Sequence, residues 1–280
     1  MESLLPALLL LTAEGLSVQQ WPMDSPTAAD PRFSLTLLYS WELDWAYWMD
    51  DLSGLDFNET TGFVWLTSQS EDYLLWVTAT DPTEMMGVEL LPGGCNLPMD
   101  PATTGSGAGR YIYVNDGVAT DIFCLHGGSW SVIPGNPAGS DGTGMDLDGA
   151  GSLWEADTQG HVLRFVPGGS DPQVFDLQSE YVDPCGLTLF PCEGQTGVAV
   201  TYHSQDAVEF YLFAPPTSWE YIGSAQVPGT YDGFYGLEYV SDRDSFYMLA
   251  EVSGDHWILE MGSDVTGMRS DTWAGIKTLF

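Results

Sequence analysis

The chain has 280 residues, 44% of them apolar, and 40 acidic side chains against six basic ones give a formal charge of −34. That apolar content can bury a core, which excludes an acidic disordered chain, and the charge leaves no basic patch, which argues against nucleic acid and anionic membranes as partners. Most of the carboxylates read as a solvated surface suited to solubility or a saline setting, with cation binding the sharper reading for a few of them.

Residues 1–17 read as a signal peptide. Leu4 to Thr12 is almost wholly aliphatic and small residues follow at Ala13, Gly15 and Ser17. The apolar stretch is far short of the roughly 20 residues that span a bilayer. No Lys or Arg precedes it, so a buried first strand or short helix is the alternative. Residues 18–32, with Pro22, Pro26 and Pro31, read as a leader or linker. Residues 33–280 read as one domain. Within it, Phe33, Leu35, Leu37, Tyr39, Trp41, Leu43 and Trp45 occupy alternate positions, which predicts a strand with one buried face.

From there a short motif returns five times: a small residue, an aliphatic one, a variable one and an apolar one. It reads Gly54-Leu55-Asp56-Phe57, Asn96-Leu97-Pro98-Met99, Gly144-Met145-Asp146-Leu147, Gly186-Leu187-Thr188-Leu189 and Gly236-Leu237-Glu238-Tyr239. The intervals are 42, 48, 42 and 50 residues. A period in the forties with strands inside each unit predicts an all-β fold, a β-propeller. Each motif precedes a turn and two strand-length apolar runs, such as Phe63 to Thr67 and Tyr73 to Val77. Weaker fourth strands follow at Gly87 to Leu91, Ser129 to Ile133, Gln173 to Leu177 and Glu220 to Val227. An irregular β-sandwich is the competing architecture.

A propeller must pair its ends or leave an open edge. The strand at residues 33–45 belongs to no complete repeat, so it is expected beside residues 255–261 as the outer strand of the last blade. That gives five blades, or six if residues 17–50 hold more structure. At the C-terminus, Ser270-Asp271 can cap a short helix carrying Trp273, Ile276, Leu279 and Phe280 on one side.

Four cysteines, Cys95, Cys124, Cys185 and Cys192, permit disulfides in an exported chain. Cys185 and Cys192 flank one strand and stand about 20 Å apart at strand rise, too far to bridge. Buried thiols are the simpler expectation. His161 and His256 follow hairpin turns and are expected to face solvent, while His203 ends a strand.

Three residues before the motif glycine stand Asp51, Asp141 and Asp183. Equivalent positions in a propeller ring the channel mouth, so these carboxylates are candidate ligands for a hard cation such as Ca²⁺. The other reading is that each Asp caps its own turn. Tyr181, Tyr231, Phe234 and Tyr235 lie in the same loops and are candidates for a ligand-binding surface at the mouth, with core packing the alternative.

The Gly-aliphatic motif and the strands after it, such as Ser152-Leu153-Trp154 and Phe63-Val64-Trp65, resemble the broad superfamily of propellers that includes the NHL-repeat and SMP-30/gluconolactonase-like proteins. The resemblance covers roughly residues 50–262. It implies a propeller. For the lactonase-like members it also implies a divalent metal at the channel mouth held by Glu and Asn/Asp, where Asp141 and Asp183 match by position and no matching Glu is found. The last motif, Tyr235-Gly236-Leu237-Glu238, also resembles propeller-type glutaminyl cyclases. No phosphate-binding loop, zinc-protease helix or nucleophile elbow is present.

The expectation is therefore a secreted, periplasmic or cell-surface acidic propeller. It acts as a monomeric, non-catalytic module for a protein or small-molecule ligand, with Ca²⁺ as its cofactor. The alternative is a metal-dependent propeller hydrolase of the lactonase type. Three or more ligands converging on one axial point favour the enzyme.

Overall fold

The structure is a computed structural model that describes residues 33–48, 51–169, 171–192 and 194–263. The signal peptide, the linker and the C-terminal helix expected above lie outside these residues. The repeats form an all-β propeller of five blades, each a four-stranded antiparallel sheet. Strand β1 (Leu35–Glu42) comes first in the chain and is used last in the ring. Blade 1 holds β2 (Leu52–Asn58), β3 (Phe63–Ser68), β4 (Tyr73–Thr78) and β5 (Met85–Leu90). Blade 2 holds β6 (Pro98–Thr104), β7 (Tyr111–Asp116), β8 (Asp121–His126) and β9 (Ser129–Pro134). Blade 3 holds β10 (Gly142–Leu147), β11 (Leu153–Asp157), β12 (His161–Phe165) and β13 (Gln173–Asp176). Blade 4 holds β14 (Pro184–Cys192), β15 (Gln195–Tyr202), β16 (Gln205–Ala214) and β17 (Ser218–Gln226). Blade 5 joins β18 (Gly233–Val240), β19 (Ser245–Val252) and β20 (Asp255–Ser263) to β1.

The closure follows the expected route. Strand β1 pairs antiparallel with β20, from Leu35 opposite Ser263 to Glu42 opposite Trp257. Phe33, just before β1, reaches across to blade 4, where it stacks on Phe210 with ring centroids 5.2 Å apart. Strand β1 departs from its sequence pattern in one respect. Its register shifts between Leu37 and Tyr39, and Leu37, Leu38 and Tyr39 are 40%, 48% and 58% exposed. Strand β1 is the outermost strand of its blade, and of the alternating residues Phe33, Leu35 and Leu43 are buried.

The core lies between blades. All seven residues of β2 are buried, because a neighbouring blade covers each face. Asn58 caps the turn after β2, its Oδ1 accepting from Thr60 N and Thr61 N at 3.1 and 3.0 Å. Asp148 does the same after β10, accepting from Ala150 N and Ser152 N at 3.0 and 2.8 Å.

Blade 2 corrects the repeat register. Leu55 pairs with Leu66 in blade 1, and its counterpart opposite Val114 is Pro101, not Leu97. The motif of blade 2 is therefore Asp100-Pro101-Ala102-Thr103, four residues beyond the one read from sequence. Pro98 and Pro101 are tolerated because the innermost strand is a sheet edge with one unpaired side.

The four cysteines are free thiols, and Cys185 and Cys192 both lie on β14 as the geometry required. His256 is not at the surface. It is 5% exposed, and its Nε2 accepts from Leu52 N of blade 1 at 3.4 Å.

Candidate metal centre

The innermost strands β2, β6, β10, β14 and β18 surround the axis at very short range. A Cβ on Gly144 would stand 2.4 Å from Leu187 N, one on Gly186 2.5 Å from Leu237 N, and one on Gly236 2.7 Å from Leu55 N. The motif glycine exists because neighbouring inner backbones touch there. Two residues further along a strand, side chains return to the same face. Those positions hold Asp56, Ala102, Asp146, Thr188 and Glu238. Blades 1, 3 and 5 thus each send one carboxylate to the axis, and the ligand oxygens of Asp56, Asp146 and Glu238 lie within 4.8 Å of one another.

Each carboxylate is held differently. The Thr103 hydroxyl donates to Asp56 Oδ2. Leu189 N donates to Asp146 Oδ2 at 2.6 Å, and the Thr188 hydroxyl donates to the same oxygen at 3.3 Å. Thr188 Oγ1 in turn accepts from Tyr239 N at 2.9 Å, which fixes the hydroxyl between two blades. Glu238 is 5% exposed, and its Oε2 has no hydrogen-bond partner. Burial is the main force on all three groups. It pushes Asp56 and Glu238 well above the usual carboxylate range, with Asp146 adding repulsion to both. It raises Asp146 to about 6 against the backbone N–H groups of Leu189 and Leu147.

This arrangement fits a hard divalent cation. The donors are all carboxylate oxygens, with no thiolate or imidazole in the group. Three buried carboxylates this close repel one another when ionised, and a cation reverses that repulsion. The unpaired Glu238 Oε2 is the orphan atom that such an ion satisfies. A cavity of about 510 Å³ opens over the triad, with Phe57, Leu189, Phe190 and Tyr239 on its walls. None of the described residues that line it is basic. Asp148 at its edge is engaged by Arg164, at 2.9 Å.

The residues singled out from sequence behave otherwise. Asp51, Asp141 and Asp183 do hold equivalent positions: their carbonyls accept from Gln69 N, Thr158 N and His203 N at 2.8, 2.9 and 3.0 Å. Their side chains are not brought together. Among the described residues, the triad is the only group of three or more His, Cys, Asp or Glu close enough to share an ion. Asp51 and Asp183 are exposed at the entry ends of the inner strands, whereas the triad and its cavity lie toward the exit ends.

Phe234 is also misplaced as a ligand contact. It is 1% exposed and packs in the blade 4–5 core. Tyr231 rests on it at 5.2 Å, and Tyr181 packs edge-on against Tyr202 at 5.2 Å. Tyr235 is half-buried and donates to Glu251 Oε2 at 2.5 Å, with the His203 ring 4.9 Å away. The signal that finds the triad was present in the motif itself. Its variable position is acidic in three blades, and it shares a face with the glycine that touches the axis.

No family model matches the chain, and no curated protein matches it. Solved structures do. The glutaminyl cyclase of Myxococcus xanthus matches with a TM-score of 0.59 at 12% identity, over 83% of this chain and 97% of that one. A chain of a nidogen/laminin complex matches with a TM-score of 0.52 at 16% identity, over 71% of this chain and 72% of that one. A calcium-binding regucalcin of Agrobacterium tumefaciens is more distant, with a TM-score of 0.46 at 13% identity over 76% of this chain and 91% of that one. At such identities the likeness is one of fold alone.

Proposed function

We propose that the protein is an exported binding module that holds a divalent cation, Ca²⁺, on the propeller axis and takes its ligand in the cavity above it, without catalysis of its own. The observation that carries the cation is the convergence of Asp56, Asp146 and Glu238 from three blades, with Glu238 Oε2 unpaired. Three carboxylates supply only part of the six to eight oxygens that Ca²⁺ takes, and the cavity gives water or ligand oxygens access to the rest. Export is supported by the apolar stretch Leu4 to Thr12. The charge of −34 keeps nucleic acid and anionic membranes off the surface and favours a soluble monomer.

Thermal melts with excess Ca²⁺ and with chelator test the reading. Binding to the folded state alone adds about 2.7 kcal/mol at a hundredfold excess over Kd. The Ca²⁺ melt is expected several degrees higher, and the difference is expected to vanish in Asp146→Asn and Glu238→Gln. Equal midpoints with and without Ca²⁺ in the native chain reject the centre.

A second reading, a metal-dependent hydrolase, is favoured by one observation: the cavity is lined directly by all three carboxylates. In that case Asp56, Asp146 and Glu238 would hold the metal, which would supply Lewis-acid chemistry, and Phe57, Phe190 and Tyr239 would seat the substrate. Turnover of simple lactones by the Ca²⁺-loaded chain, abolished in Glu238→Gln, would favour it over the binding module.

A further inference from the structure

We propose that the cavity over the triad takes an organic ammonium ion with a ring or short hydrocarbon body, an inference that rests on the binding reading above. At about 510 Å³ the cavity has the size of a site for one small molecule. Its charge is of one sign. Five carboxylates line it, those of the triad with Glu59 and Asp148, and none of the described residues around it is basic.

These carboxylates are not equivalent. Arg164 neutralises Asp148, its Nε and Nη2 donating to Oδ2 at 3.2 and 2.9 Å. A divalent ion on the triad offsets two of its three negative charges. Glu59 is exposed in the turn after β2 and forms no ion pair among the described residues. It is close enough to repel Asp56 and Asp146. One negative charge therefore remains at the triad and another at Glu59 even when the centre holds its ion. A concave wall of one sign focuses its field and draws in counter-ions. Glu238 Oε2, buried on that wall without a hydrogen-bond partner, independently points to a positive group.

The apolar walls decide which kind of cation fits. Phe57, Phe190 and the half-buried Tyr239 line the same cavity. The Tyr239 hydroxyl donates to Asp244 Oδ1 at 2.7 Å, so the ring is what this residue offers a ligand. Aromatic faces attract ammonium groups and cover hydrocarbon. A second metal ion needs oxygen ligands and gains nothing from such walls. An ammonium group on an apolar body matches both the acids and the rings.

The test uses the full chain in saturating Ca²⁺ and three probes of one shape: phenethylamine, protonated at neutral pH, 2-phenylethanol and phenylacetate. Salt at about 0.15 M screens the exposed acidic surface. Calorimetric titration is expected to show one phenethylammonium per chain, bound roughly tenfold more tightly than the alcohol, and no uptake of phenylacetate. Glu59→Gln is expected to weaken the amine severalfold and leave the alcohol unchanged. Thr104→Lys, exposed at the end of β6 on the cavity wall, is expected to abolish amine binding. Both sites are exposed, and melts in chelator check that the variants fold as the wild type does. Equal affinity for amine and alcohol, tightest binding of phenylacetate, or no uptake of any probe overturns the proposal. Amine binding that neither variant changes belongs to the acidic surface and overturns it too. The titrations are repeated in chelator beside a Ca²⁺ titration. A chain that takes up no Ca²⁺ yet keeps the amine preference loses the metal centre and retains the ligand class. A chain that takes up Ca²⁺ without that preference retains the centre and loses the ligand class.

Discussion

Glu155 occupies a place that four blades give to hydrocarbon. The residue paired with the aliphatic motif position is Leu66, Val114, Val200 or Met248 elsewhere, and Glu155 opposite Met145 in blade 3. Two amides hold it: Asn115 Nδ2 and Asn136 Nδ2 donate to Oε1 at 2.8 and 2.9 Å, while Oε2 has no partner. Burial outweighs those two donors and pushes its pKa up to about 7. An acid raised in the folded state binds its proton more tightly than the unfolded chain does. Its contribution is therefore fully present below the unfolded value of about 4.3 and is lost as pH rises through about 7. Asp146, raised to about 6, acts in the same direction. In chelator the melting temperature is expected to fall between pH 5 and pH 8, and to fall less in Glu155→Gln, which keeps an acceptor for both asparagines and cannot ionise. Melts of the two proteins across that range check it, and equal slopes would show that Glu155 does not titrate there.

The elements were more legible than the site. The motif, the turn residues and the outer strands all stood in the sequence, and so did closure by residues 33–45, because a strand without a blade has one economical partner. The register of blade 2 was not legible. Leu97 imitates the aliphatic position, while the true one is a proline and the true small residue is Asp100, so neither matched the pattern. The triad is hidden for a related reason: the repeated Asp three residues before the motif leads outward into the entry loop, whereas the triad lies along the face that touches the axis. Closure gives a prediction at this scale. Phe33 is 6% exposed and stacks on Phe210, and a Cβ on Gly223 would meet its ring at 2.4 Å, so it pins the start of β1 into blade 4. Phe33→Ala leaves a cavity at the joint between the first and last strands and is expected to cost about 3–5 kcal/mol. Chemical denaturation measures it. Tyr39→Ala on the exposed part of the same strand is expected to cost far less, and equal costs would mean that β1 is not anchored at its start.

The whole molecule carries its charge almost uncompensated. The described arginines are already engaged: Arg110 lies over Trp65, Arg164 over Trp154 and against Asp148, and Arg243 over Tyr39 and against Glu260. Packing on aromatic faces lets them stabilise blade edges, and it leaves them little capacity to offset the rest of the acidic surface. Two kinds of repulsion therefore act on the fold. Exposed carboxylates repel across solvent and are screened by salt within about 10 Å at 0.1 M. The axial carboxylates are buried, where screening by salt is weak and relief comes from a proton or a bound cation. The two are separable. In chelator at pH 8, raising NaCl from low to molar concentration is expected to lift the melting temperature through the surface term and then level off. Millimolar Ca²⁺ added on that plateau is expected to lift it again, because it acts at the axis. In Asp146→Asn the salt response should persist and the second rise should disappear. A Ca²⁺ effect that molar NaCl abolishes in the native chain would assign it to the surface instead, and the acidity would then be solvation and nothing more.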